Sequence, residues 1–175
     1  MKRQIRHGVF ETNSSSTHAI CISTVDEELS IPETIEFGFG DYGWEEDTLS
    51  SRRDRANYLY TCLAYSSWDK VKEYIEFIKT TLREAGVNNI YFDDLKIGIS
   101  TWGDDKVEYW VKPGNGYVDH GEQAFEFVEA VCSNKKLLLD YLFSDKSYIL
   151  TGNDNNPTDI SINENYFHEE FYKDN

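Results

Sequence analysis

The sequence predicts an α+β fold, and three observations carry that prediction. Runs rich in β-branched and aromatic residues at 3–11 and 18–25 flank a polar turn. Residues 68–85 set Val71, Tyr74, Ile75, Ile78 and Leu82 on one face at helical spacing, with Gly86 following as a stop signal. Short strand-like runs after residue 88 then give way to two shorter helical patterns. The expected architecture is an N-terminal β-hairpin, residues 1–25, joined to a mostly antiparallel sheet packed against about four helices. Residues 1–151 read as a single domain and residues 152–175 as an acidic, partly ordered C-terminal tail.

In chain order, the hairpin strands at 3–11 and 18–25 enclose a loop in which Asn13 and Ser14 are good turn formers. A short strand is expected at 35–40, followed by a surface loop in the acidic run DYGWEED. Residues 47–66 place Ala56, Leu59, Cys62 and Leu63 on one stripe, so a helix is expected there, packed as a pair with the helix at 68–85. Strands follow at 89–92, 96–101 and 106–111, the last two joined by a turn at 103–105. KPGNG, residues 112–116, is a loop; 122–131 and 134–143 are helices, and 147–151 is a final strand.

Bulk properties narrow the class. The formal charge of −15 opposes nucleic acid over most of the surface and favours a basic partner. The first 25 residues run the other way, with Lys2, Arg3 and Arg6 against Glu11 alone. Cys21, Cys62 and Cys132 form no CxxC pair and suggest neither a disulfide framework nor a zinc knuckle, which fits a reducing cytoplasm. No apolar run approaches a membrane span, and no membrane partner is expected.

The stretch FETNSSSTH, residues 10–18, concentrates the chemistry. A symmetric hairpin would set Glu11 opposite His18, close enough for a carboxylate to orient an imidazole, with His7 on the same face. Asn13, Ser14, Ser15 and Ser16 with their loop amides could then cradle a phosphate while Arg3 and Arg6 neutralise it. These are the parts of metal-independent RNA cleavage, in which a 2′-hydroxyl attacks the adjacent phosphate: His18 as general base or acid, Glu11 orienting it, Arg6 stabilising charge, and no cofactor or metal. The simpler reading is a polar turn with a cross-strand pair.

Secondary candidates are weaker. His120 with Asp119 and Glu122 sits just before a helix and reads first as a cap, and after that as a second-site histidine or a metal ligand. The cluster Arg52 to Arg55 reads first as a solvated helix face and second as an RNA contact. His168 has no second ligand near it in sequence.

The run R-x-x-V-F-E-T-N-S-S-S-T-H-A-I, residues 6–20, resembles an N-terminal signature of small acidic proteins carried by phages and mobile elements of Gram-positive bacteria. These include a type II anti-CRISPR protein that causes the guide RNA of an RNA-guided nuclease to be shortened. The resemblance implies an anti-CRISPR inhibitor in the bacterial host cytoplasm whose partners are a type II nuclease and its guide RNA. It assigns the truncating role to Arg6, Glu11, Asn13, Ser14, Ser15, Ser16 and His18, with cleavage occurring only alongside the nuclease. Two alternatives stand beside it: a non-catalytic acidic inhibitor that blocks a basic nucleic-acid groove, and a phage accessory protein with another partner.

Overall fold

The structure, a computed structural model, describes residues 16–24, 28–43, 45, 47–102, 106–112, 116–119, 124–153 and 168–173. It is α+β. A four-stranded antiparallel sheet in the order β10-β1-β9-β4 lies at its centre, built from β1 (Ser16–Ser23), β4 (Asp47–Leu49), β9 (Tyr148–Asn153) and β10 (His168–Lys173). Three strand pairs surround it: β2 (Thr34–Phe37) with β5 (Asn89–Phe92), β3 (Asp41–Tyr42) with β8 (Tyr117–Val118), and β6 (Lys96–Trp102) with β7 (Lys106–Lys112). The first two pairs are parallel and the third is antiparallel. The expected single, mostly antiparallel sheet is therefore divided. A parallel partner for β2 requires a long crossover, which α1 (Arg52–Leu63) and α2 (Trp68–Ala85) provide between β2 and β5.

Strand β1 is the heart of the sheet. Ala19, Ile20, Cys21 and Ile22 are all buried, so the strand is covered on both faces and reads as a continuous apolar run. Both of its edges are taken: Ser16 to Cys21 pair with β9, and His18 to Ser23 pair with β10. The first strand of the expected hairpin, residues 3–11, lies outside the described residues. The segment read as a tail supplies β10.

Helix α1 starts at Arg52 and not near residue 47, because Asp47 to Leu49 pair with β9 and the Ser51 hydroxyl caps the helix by accepting the Asp54 N–H at 3.1 Å. Its residues Tyr58, Leu59, Tyr60, Cys62 and Leu63 are all buried, so the helix is surrounded on nearly every side. It lies against β2, α3 (Phe125–Val131), α4 (Lys135–Phe143) and β8, and not chiefly against α2 as expected. Helix α2 follows its pattern: Val71, Tyr74, Ile78 and Leu82 are buried, and Gly86 ends it at φ 104°, a conformation that favours glycine. Cys21, Cys62 and Cys132 are buried thiols that form no disulfide, and burial raises the Cys132 thiol well above its ordinary range.

In the basic run at 52–55, Arg55 and Arg52 make structural contacts while Arg53 is exposed. The Arg55 guanidinium is buried and donates to the carbonyls of Leu142 at 3.0 Å, Ser144 at 2.7 Å and Ser147, closing the C-terminal end of α4 with positive charge. The Tyr141 hydroxyl returns a bond to the Arg55 carbonyl at 2.7 Å. Arg52 donates to the Ser30 carbonyl at 3.1 Å and lies over the Phe143 ring. Among the described residues no helix is long and apolar enough to cross a membrane.

Candidate functional site

His18 ends the FETNSSSTH run and begins the buried part of β1. Its ring is only 2% exposed and is held from two sides. A carbonyl can only accept, so Nε2 carries a proton and donates to the Gly43 oxygen at 3.2 Å, while Nδ1 is hydrogen-bonded to the Tyr58 hydroxyl at 2.8 Å. The two rings lie 5.7 Å apart and tilted. Burial raises the Tyr58 hydroxyl well above its ordinary range, so it keeps its proton. This arrangement joins β1, α1 and the 38–43 segment at one point.

That placement does not suit the expected general base or acid. Neither ring nitrogen is open to a substrate hydroxyl, and the positions opposite His18 in the sheet belong to Lys173 and Thr151. Ser16, expected to hold a phosphate, is fully buried, and its N–H donates to an Asp119 carboxylate oxygen at 3.3 Å. An anion of the protein occupies the amide that a phosphate would need. Asp119 also does not cap α3, whose N-cap is Ala124 with no side-chain bond. Arg3, Arg6, His7, Glu11, Asn13, Ser14, Ser15, His120 and Glu122 lie outside the described residues, so the phosphate cradle and the second histidine site cannot be placed. Among the described residues no group of three or more His, Cys, Asp or Glu side chains could hold a metal.

The structure brings together a different set of residues around His18. From Asp26 to Ser51 the chain has nine carboxylates and no Lys or Arg. Glu28, Glu33, Glu36, Asp41, Glu45 and Asp47 are exposed, while Ile35, Phe37 and Tyr42 between them are buried. Phe37 and Tyr42 turn toward α1, meeting Tyr60 and Tyr58 edge-on at 6.4 Å and 5.0 Å. Two backbone anchors hold the bend between β2 and β3 to α1: Gly38 N–H donates to Asn57 Oδ1 at 2.8 Å, and Gly40 N–H to Thr61 Oγ1 at 3.2 Å. The carboxylates are thereby left on the solvent side. Tyr117 stands among them, and its hydroxyl is raised by its partial burial and then by Glu45, Asp119 and Asp41.

Sequence reasoning missed Tyr58, Gly43 and Arg55, whose roles depend on partners distant in the chain. The long stretch without a cation was a readable signal of the acidic face. Compared with protein-family models, curated proteins and solved structures, the chain matches none.

Proposed function

We propose that this protein is an inhibitor of a type II RNA-guided nuclease that acts by seating its acidic surface in the basic channel that holds nucleic acid. The observation that supports this reading is the exposed, cation-free carboxylate segment from Glu28 to Asp47 on a chain of net charge −15. Such a surface matches the field of a channel built to hold a polyanion. The resemblance at residues 6–20 supplies the choice of target.

A second reading, guide-RNA shortening, is favoured by the same resemblance and requires a reacting group other than the enclosed His18 ring. The two separate in one experiment. End-labelled guide RNA, purified type II nuclease and this protein are incubated together, and RNA length and DNA cleavage are followed at rising salt. The channel-blocking reading expects intact guide RNA, stoichiometric inhibition and inhibition that weakens steeply with salt. Shortened guide RNA overturns it in favour of the second reading, and failure to bind the nuclease at low salt overturns both.

A further inference from the structure

We infer that the solvent face of the 34–42 segment, with the strands β5 and β8 that flank it, is a docking surface for an arginine-rich protein surface. This inference rests on the proposed channel-blocking reading and names the part of the molecule that performs it. Two register positions carry it. Tyr91, 57% exposed, stands directly across from exposed Glu36 in the β2–β5 pair, and Tyr117, 47% exposed, stands directly across from exposed Asp41 in the β3–β8 pair.

Each pair sets an aromatic ring beside a carboxylate on the side away from α1. Large exposed aromatics on a water-facing sheet gain little by themselves, and carboxylates alone would simply be solvated. The two side by side fit one ligand group particularly well. A guanidinium can lie flat on the ring while its N–H groups donate to the carboxylate, which a compact ammonium does less well.

The surroundings extend the charge without cancelling it. Asp93 and Asp94, both exposed, follow Tyr91 closely in the chain, and Glu45 and Asp119 act on Tyr117. Lys79 lies over the neighbouring Phe92 ring but is already paired with Glu76 at 3.0 Å. Phe92 itself stacks on Phe37 at 4.6 Å, which fixes β5 and hence the position of Tyr91. The face is therefore acidic, aromatic and backed by a packed core.

The test uses the full chain and two probes of equal charge and length, oligo-arginine and oligo-lysine peptides, in a titration read by anisotropy. Oligo-arginine is expected to bind about threefold tighter than oligo-lysine, because stacking on an exposed ring adds to charge pairing. In Tyr91→Leu/Tyr117→Leu that preference should disappear, and in Glu36→Gln/Asp41→Asn both peptides should weaken by about fivefold. The control Glu126→Gln/Glu129→Gln removes the same charge from the exposed face of α3 and should change binding less than about twofold. If the double tyrosine variant melts early, Tyr91→Leu alone serves, since that ring is the more exposed. Equal binding of the two peptides by the wild type, or equal weakening in the control, overturns the inference. A wild type that discriminates the peptides as expected but does not bind the nuclease overturns the choice of target and leaves this surface standing.

Discussion

His18 Nδ1 lies 2.8 Å from the Tyr58 hydroxyl, and this bond fastens the central strand β1 to the buried helix α1. The imidazole that local sequence marks as reactive is thus a strut. Removing it strands the Tyr58 O–H and the Gly43 carbonyl in the interior, where each unsatisfied group costs about 1–3 kcal/mol. His18→Ala should lower unfolding free energy by about 3 kcal/mol in urea titrations, and His18→Gln by less, because its amide can replace one of the two bonds. A normal melt for His18→Ala would show that the ring has no structural role.

Arg55 is the second polar group on which the interior depends. Arg55→Leu removes the guanidinium donor from the carbonyls of Leu142 and Ser147, leaves Ser144 with the Ser147 N–H alone, and should cost about 3 kcal/mol or more by chemical denaturation. Arg55→Lys should recover only part of this loss, since one ammonium cannot match the spread of a guanidinium fork.

Gly86 tests backbone conformation in isolation. A Cβ there meets nothing within 4 Å, so Gly86→Ala changes only the strain at φ 104°. The expected loss is about 1 kcal/mol, seen as a lower thermal midpoint with unchanged circular dichroism at low temperature.

Alkaline pH should unfold the protein, and the sign follows from its tyrosines. Burial raises the hydroxyls of Tyr42, Tyr58, Tyr60 and Tyr141 above their ordinary value of 10.0 in the folded state. A raised folded pKa gives stability that is complete below the unfolded value and is lost as pH climbs through the folded one. Stability should hold to about pH 10 and then fall, with absorbance at the phenolate band rising in step with unfolding. Smooth titration of all 12 tyrosines without unfolding would contradict this burial.

Cutting the chain after Asn153 removes β10 and bares one edge of β1 from His18 to Ser23. Backbone amides of β1 should then exchange much faster with solvent, and the shortened chain should associate through the exposed edge. Unchanged exchange in β1 would mean that β10 adds nothing to the sheet.

How far the fold was legible depended on how local its causes were. Helix α2 emerges from its own residues, because one face is apolar, the other is charged and Gly86 stops it. The α1 boundaries were not legible, since a helix enclosed on nearly all sides shows no clean stripe and its start is fixed by the Ser51 hydroxyl and by β4 pairing elsewhere. The turn chemistry of residues 12–17 suggested a hairpin, yet the partners of β1 lie at 148–153 and 168–173, a choice written in no nearby residue. HEEFYK looks like tail because it forms a sheet edge, where polar residues are well tolerated. At the candidate site, spacing could suggest that His18 meets a carboxylate, but only the packed interior shows that it meets Tyr58.

The placement of β10 against β1 also sets a timetable for biosynthesis. Strand β1 emerges from the ribosome long before either of its neighbours, β9 and β10. The nascent chain therefore carries the apolar stretch Ala19 to Ile22 without its sheet partners until residues 148–153 and 168–173 have been made, and the central sheet closes only then. Early termination yields a sticky fragment, never a smaller working protein.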